Sequence, residues 1–171
     1  KAKDYLAKAG ITALTLKYNC SNLASSRTQA EIIQQNLAEI GITVEINALD
    51  GAAVYEQGMG ENGKQIELYG SVFSMYPDPA WATMWFTCDQ VGVWNWMRWC
   101  SPEYDELNKK GMTTLDPAER QEIYVRMQQL IDEACCMIWT THGVNAFSWS
   151  PKVVPAMTPN GQQQIWNFRP A

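Results

Sequence analysis

The chain has 171 residues, of which 46% are hydrophobic and 18% are charged. That balance is typical of one globular domain and excludes a disordered chain. Lys and Arg total 13 against 18 Asp and Glu, a formal net charge of -5, which disfavours nucleic-acid binding because such binding depends on clustered cations. No apolar run approaches the roughly 20 residues that a membrane-spanning helix needs.

The first residues carry neither an initiator methionine nor an export signal. The chain opens with Lys1-Ala2-Lys3-Asp4, which lacks the cationic and then apolar pattern of a signal peptide. We therefore expect a processed form or an excised part of a longer protein.

A βαβ unit is predicted near the start of the chain. Residues 13–19 alternate apolar and polar side chains, as a half-buried strand does. Ser25 or Ser26 can cap the next helix, whose apolar residues recur at helical spacing as far as Gly41. Residues 42–48 alternate again and predict a second strand. A strand, a helix and a strand in this order indicate an α/β fold with a right-handed crossover.

The second half of the chain predicts helices separated by loops. Pro77-Asp78-Pro79 interrupts regular structure, because each proline lacks an amide donor and restricts the preceding residue. Ser101-Pro102 and Asp116-Pro117 each predict a helix that begins with a capping side chain and a proline. Glu119 completes a capping box in the second of these helices. Its predicted apolar face comprises Ile123, Tyr124, Met127, Leu130, Ile131 and Ala134.

Shorter elements complete the prediction. They are a helix over residues 2–9 that ends at Gly10, short helices over residues 52–57 and 81–86, a third strand over residues 66–72, extended segments over residues 137–141 and 145–149, and a last strand over residues 163–168.

The five cysteines are an odd number, so they cannot all pair within the chain. Cys88 and Cys100 flank a loop rich in Gly, Asn and Trp, a span that suits a loop-closing disulfide, and two reduced, buried thiols are the alternative. A disulfide would indicate an oxidising compartment. Cys135 and Cys136 end an apolar helix face, so we expect buried structural thiols. Zinc sites and redox motifs use a different cysteine spacing.

No combination of residues predicts catalysis. His142, the only histidine, has no nucleophile near it in sequence, and no GxSxG motif is present. The glycines of residues 58–63 do not match a phosphate-binding loop. We therefore expect no enzymatic activity, no metal and no cofactor.

Tryptophan is the exceptional feature of the composition. Five of the eight tryptophans lie between Trp81 and Trp99, and Trp94 and Trp96 are next to Asn95. Flat indole faces with a single polar donor are what sugar sites and other small-ligand sites use. A small hydrophobic core beneath the loop is the alternative, and composition favours neither.

Several motifs, taken in order, resemble the carboxy-terminal lobe of the family 5 extracellular solute-binding proteins, which serve ATP-binding-cassette importers. The resemblance runs over nearly the whole chain. Its motifs are the opening helix from Ala2 to Gly10, the central βαβ from Ala30 to Ile46, Tyr76-Pro77-Asp78-Pro79, Asn95-Trp96, the segment from Cys100 to Leu107, and Asp116-Pro117-Ala118-Glu119-Arg120 with Tyr124.

The resemblance implies a type 2 periplasmic-binding-protein-like lobe with a mixed sheet flanked by helices, spanning residues 1–171. Its N-terminal partner lobe would be absent from this sequence. Two such lobes close around a peptide-like or other small polar solute, and the closed receptor docks on a membrane permease. The implied location is periplasmic or otherwise extracytoplasmic, with membrane association through the importer. Cys88 and Cys100 resemble the disulfide of dipeptide-binding relatives.

The resemblance also assigns ligand-binding residues. The end of the strand before the Asp-Pro loop faces the cleft in the family, and the aromatic loop lines the opposite part. In this sequence these residues are Phe73, Ser74, Met75 and Tyr76, with Trp94, Asn95 and Trp96. Dipeptide-binding relatives carry an acidic residue near Ser74 that pairs with the α-amino group of the solute. Since residues 71–76 include no acid, we expect no such anchor here.

Two other classes of protein stay open. A free-standing Trp-rich module for carbohydrate or peptide would bind its ligand without a second lobe. A small thiol-dependent enzyme would need an activated cysteine of low pKa. The sequence also departs from the family at Cys135, where relatives often carry proline. This difference affects the local turn and not the ligand-binding site.

Overall fold

The computed structural model describes residues 1–73, 76–141, 143 and 146–171. The chain divides into two compact units, which we name unit 1 (Lys1–Phe73 with Gln90–Arg98) and unit 2 (Ser74–Asp89 with Trp99–Ala171). None of the described helices has the length and apolar character required to cross a bilayer.

Unit 1 contains the predicted βαβ unit, which is confirmed. It begins with α1 (Ala2–Lys8) and continues through β1 (Leu14–Ser21), α2 (Ala24–Ala38), β2 (Ile42–Leu49), α3 (Gly51–Gly58) and β3 (Leu68–Tyr69). The three strands form a parallel sheet in the order β2-β1-β3, with Leu14 opposite Ile42 and Tyr18 opposite Leu68. The third strand is shorter than the strand predicted over residues 66–72.

The centre of unit 1 lies where β1 meets α2. Tyr18, Asn19 and Cys20 near the carboxyl end of β1 are buried in succession, so both faces of this strand are covered there. Ala30 of α2 and Val44 of β2 complete this core. Gly41 takes a φ of 86° after α2, which is the helix end that the sequence predicts.

The predicted caps of α2 are wrong. The helix begins at Ala24 after Leu23, and no side chain caps it. The Ser21 hydroxyl instead accepts a hydrogen bond from the Leu23 N–H at 3.3 Å. Ser25 and Ser26 therefore lie inside the first turn of the helix.

Unit 2 is built on α4 (Pro79–Thr83), α5 (Pro102–Thr113) and α6 (Pro117–Ala134). The caps of the two longer helices are confirmed. Ser101 Oγ accepts from the Tyr104 N–H at 3.2 Å, and Asp116 Oδ1 accepts from the Glu119 N–H at 2.8 Å. The capping box predicted for Glu119 is not formed, because its carboxylate lies 2.8 Å from Lys110 Nζ on α5 instead.

The apolar face of α6 is confirmed for its first five residues, whereas Ala134 is exposed. Helix α6 ends there, and Cys135 takes a left-handed φ of 50°. This turn leaves Cys135 exposed and Cys136 half-buried. The prediction of two buried thiols is therefore wrong for Cys135.

The carboxy-terminal segment is less regular than predicted. Its strands are the short antiparallel pair β4 (Val153–Val154) and β5 (Arg169–Pro170). Residues 165–167 form a 3-10 turn, so the predicted strand over residues 163–168 is wrong. Residues 137–141 and 146–149 are in no strand, and Asn145 lies outside the described residues. Three further 3-10 turns are Asn62–Gln65, Met84–Phe86 and Cys88–Gln90.

Candidate functional site

The residues assigned to ligand binding fall in both units. Phe73, Trp94, Asn95 and Trp96 belong to unit 1, and Tyr76 belongs to unit 2. Ser74 and Met75 lie outside the described residues.

Trp96 lies in the interior of unit 1 and is only 7% exposed. Its ring covers Gly58 at the end of α3, and the Tyr69 ring packs edge-on against it, with ring centroids 4.8 Å apart. The indole N–H donates to the Val93 carbonyl at 2.9 Å. Since both the ring and its polar group are satisfied within the unit, the geometry favours a supporting role. Direct ligand contact by Trp96 stays a prediction.

The aromatic loop, defined as residues 90–98, is fastened to the turn that follows α3. The Gly60 N–H donates to the Gly92 carbonyl at 2.7 Å. Arg98, with a left-handed φ of 55°, donates from Nη1 to the Gly60 carbonyl at 3.1 Å. Asn95 is fully buried at the centre of the loop. These contacts fix the aromatic loop to the rest of unit 1.

Trp94 and Tyr55 form the accessible aromatic surface of this cluster. Trp94 is half-buried, Tyr55 is 43% exposed, and their rings meet edge to face at 6.3 Å. Both rings lie over Trp96, with centroids 6.2 Å and 5.5 Å away. The sequence prediction missed Tyr55. It lies in the short helix predicted over residues 52–57, and nothing in the sequence distinguishes it from the other residues of that helix.

The segment that leads to Phe73 emerges at the carboxyl edge of the sheet. The chain passes from β1 to β2 on one side and then crosses to β3 on the other, so the strand order reverses beside β1. In open α/β sheets, ligands bind outside the carboxyl ends of strands at such a reversal. Phe73 follows β3 at this edge and is half-buried.

Buried polar groups reinforce the same edge. Asn19, which is buried, accepts a hydrogen bond from Asn47 Nδ2 at 2.8 Å, joining the ends of β1 and β2. The Tyr69 hydroxyl donates to the Val54 carbonyl at 3.2 Å. Burial raises the pKa of Tyr69 above its ordinary value.

In unit 2, Tyr76 is 47% exposed and packs edge-on against Trp81, with ring centroids 4.8 Å apart. Asp78 follows it and begins α4 by accepting from the Ala80 N–H at 2.8 Å. The hydrogen bond from Arg120 holds the pKa of the Asp78 carboxyl below its ordinary value, and the Ala80 N–H adds to this effect.

Cys88 and Cys100 are joined by a disulfide with an S–S distance of 2.13 Å. Both belong to unit 2 and flank the aromatic loop in sequence. The Cys88 N–H donates to Asp105 Oδ1 at 3.0 Å, which ties the bridge to α5.

Trp94, Trp96 and Trp99 do not form one flat stacking face. Trp96 is buried beneath Trp94 in unit 1, whereas Trp99 belongs to unit 2 and packs edge-on against Tyr104 at 5.2 Å. This arrangement weighs against a free-standing carbohydrate-binding platform, which needs rings exposed side by side.

The described part of the chain holds no group of three or more His, Cys, Asp or Glu placed to bind a metal ion, and His142 lies outside that part. Burial raises the pKa of the Cys20 and Cys136 thiols. A reactive thiol needs the opposite shift.

Comparison with known proteins identifies the family. Residues 1–92 match the family described as "Bacterial extracellular solute-binding proteins, family 5 Middle". The peptide transport periplasmic protein SapA of Salmonella typhimurium is 26% identical over 144 residues, which cover 78% of this chain and 25% of SapA. The glutathione-binding protein GsiB of Escherichia coli K12 is 24% identical over 139 residues, which cover 77% of this chain and 27% of GsiB. The chain thus spans about a quarter of the length of these relatives.

Solved structures share the fold over nearly the whole chain. The dipeptide binding protein from Pseudoalteromonas sp. SM9913 in complex with Met-Leu gives a TM-score of 0.80 at 22% identity, over 99% of this chain and 35% of that one. HbpA2 from Haemophilus parasuis gives a TM-score of 0.79 at 18% identity, over 99% and 34%. The predicted α/β fold of a type 2 periplasmic binding protein is confirmed. The chain belongs to family 5 of the bacterial extracellular solute-binding proteins.

Proposed function

We propose that the protein containing this chain captures a small peptide-like solute for an ABC-type importer, and that residues 1–171 form the carboxy-terminal lobe that supplies one wall of its cleft. The matched family consists of solute-binding transport proteins, so the activity to expect of the chain is binding. The names of SapA and GsiB point to peptides and to glutathione, a tripeptide, as solutes of related proteins.

The observation that carries the proposal is the aromatic surface of Tyr55 and Trp94 on a buried Trp96. Half-exposed rings on a packed base offer apolar contact area at little cost in side-chain entropy. The surface belongs to a unit whose sheet has its strand reversal at the carboxyl edge, where Phe73 emerges. In this proposal the rings contact side chains or the backbone of the solute.

The charge of the solute would be recognised elsewhere. Residues 71–76 carry no acid that could pair with an α-amino group. We therefore assign that contact to the second lobe of the receptor. Closure of two lobes buries most of a ligand, which one wall cannot do.

The proposed setting is the periplasm or a comparable extracytoplasmic space. SapA is named as a periplasmic protein, and the Cys88–Cys100 disulfide suits an oxidising compartment. The partners in this setting are the solute, an N-terminal lobe and the membrane permease on which the closed receptor docks.

Isothermal titration calorimetry of the intact receptor tests the proposal. The panel contains the dipeptide Met-Leu, glutathione and, as a separate class, disaccharides. We expect Trp94→Ala to weaken binding of the accepted peptide by about 1–3 kcal/mol. Failure of the folded receptor to bind any peptide would contradict the proposal, and saturable binding of a disaccharide alone would favour the carbohydrate module.

Tyr5→Ala is the matched control. Tyr5 is an aromatic residue of unit 1 that is 61% exposed. It lies on α1, which packs near Leu14 and Ile42 at the amino ends of β1 and β2. Because this is the edge of the sheet opposite to the proposed site, the Tyr5 variant should bind as the unaltered receptor does.

A further inference from the structure

The Arg120 side chain joins three elements of unit 2. Its Nε donates to the Gly111 carbonyl on α5 at 3.0 Å, and its Nη2 lies 2.7 Å and 2.9 Å from the two carboxylate oxygens of Asp78. The guanidinium carbon lies 5.2 Å from the centre of the Tyr124 ring on α6. With only 27% of the side chain exposed, the guanidinium is held by contacts on several sides.

Asp78 connects Arg120 to the loop that precedes α4. The same carboxylate that binds Arg120 accepts from the Ala80 N–H and begins α4. Tyr76 lies two residues earlier, and Trp81 lies in the first turn of α4. Their rings contact each other, so the direction of the Asp78 side chain affects both.

A second arginine on α6, Arg126, makes no ion pair with the described residues of the loop that precedes α4. Arg126 bridges two carboxylates, with distances of 2.9 Å to Glu103 and 3.0 Å to Glu133. Both partners lie on helices α5 and α6, and neither precedes α4. Arg126 therefore fastens helix to helix, whereas Arg120 also fastens a loop.

We propose that Arg120 is a positioning residue for solute recognition, which acts through Asp78 to hold the ring of Tyr76, which the resemblance assigns to the cleft, and the Trp81 ring that packs against it. This inference rests on the proposed function. Arginine is required because one planar group must donate to a carboxylate and to a carbonyl while it packs on a ring, which the ammonium group of lysine cannot do.

The first test reads the orientation of the rings without any solute. The intact protein is labelled with 5-fluorotryptophan, and the Trp81 line in its fluorine NMR spectrum is assigned with Trp81→Phe. We expect Arg120→Gln to shift or broaden the Trp81 line, Arg120→Lys to do so less, and the control Arg126→Gln to leave it in place. An unchanged Trp81 line in folded Arg120→Gln, or an equal change in Arg126→Gln, would overturn the proposal.

The second test measures binding of Met-Leu and glutathione by calorimetry, with the melting temperature of each variant recorded. We expect Arg120→Gln to bind the accepted probe about tenfold more weakly, equivalent to about 1.4 kcal/mol, and Arg120→Lys to recover part of the loss. Arg126→Gln should bind as the unaltered protein does, even where its melting temperature falls. Unaltered affinity in Arg120→Gln would overturn the proposal. If the unaltered protein binds neither probe, the proposed function fails, and the fluorine spectrum alone decides whether Arg120 positions the two rings.

Discussion

Gly58 lies directly beneath the indole ring of Trp96, and a Cβ at this position would overlap the ring atoms. Gly58 is the last residue of α3, so the close approach joins a helix end to the aromatic loop. Only glycine leaves room for this contact. The buried base beneath Trp94 and Tyr55 depends on it.

We therefore expect Gly58→Ala to lower the free energy of unfolding by about 1–3 kcal/mol, because the added methyl group overpacks the contact. Urea unfolding followed by tryptophan fluorescence measures this change. Gly51→Ala is the matched control at the other end of α3, where a Cβ meets nothing within 4 Å. Equal stability of the two variants would contradict the packing described here.

Substitution of the two loop tryptophans should separate support from contact. Trp96→Ala removes a buried ring and should lower the free energy of unfolding by about 3–5 kcal/mol. The resemblance predicts that it also weakens binding by about 1–3 kcal/mol. Trp94→Ala should weaken binding with a smaller loss of stability, since Trp94 is half-buried. Chemical unfolding and calorimetry of both variants decide this, and a Trp96→Ala protein of unaltered stability would show that the ring is not buried.

The Cys88–Cys100 disulfide should contribute on the order of 3 kcal/mol to stability, because it closes a loop with a sequence separation of 12. The double variant Cys88→Ala, Cys100→Ala should unfold at a correspondingly lower urea concentration. Cys135→Ser, at an exposed thiol, serves as the control and should change little. A double variant as stable as the control would contradict the role assigned to the bridge.

The three remaining thiols should react in a fixed order. Cys135 is exposed, Cys136 is half-buried, and Cys20 is 1% exposed with a pKa raised by burial. A thiolate-specific reagent at pH 8 should therefore modify Cys135 first and Cys20 only after unfolding. Peptide mass spectrometry at successive times follows the order. Rapid labelling of Cys20 in the folded protein would disprove the core placement.

The Asp78–Arg120 pair predicts a loss of stability in acid. Since the hydrogen bond from Arg120 lowers the pKa of Asp78 from its ordinary value of 3.8, the folded state favours the ionised carboxylate. The stabilisation is present above that value and disappears as the pH falls through the lower pKa of the folded state. Relative to Asp78→Asn, the unaltered protein should lose its advantage below about pH 4. An advantage that does not change between pH 6 and pH 2.5 would contradict the pairing.

Local signals in the sequence account for much of the fold. The alternation in β1 and β2 and the caps at Ser101 and Asp116 act over a few residues, so the sequence alone predicts them. The tail was predicted wrongly because Ile165 and Trp166 suggested a strand, although both are exposed on a 3-10 turn. Apolar character alone does not show whether a residue is buried.

The candidate site was only partly predictable for a related reason. The burial of Trp96 depends on Gly58 and Tyr69, which are distant in sequence and come together only when the sheet and α3 form. Composition therefore left a ligand platform and a small core as equal alternatives. The structure contains elements of both, with Trp96 as core and with Trp94 and Tyr55 at the surface.

A comparison of solute affinity between the intact receptor and residues 1–171 alone tests most directly whether this chain supplies only one wall of the cleft. With the same peptide under the same conditions, calorimetry should give saturable binding to the receptor and binding at least about 100-fold weaker to the isolated chain, a difference of roughly 2.7 kcal/mol. Equal affinity of the isolated chain would mean that these residues enclose a complete site, and the picture of a single wall would have to be abandoned.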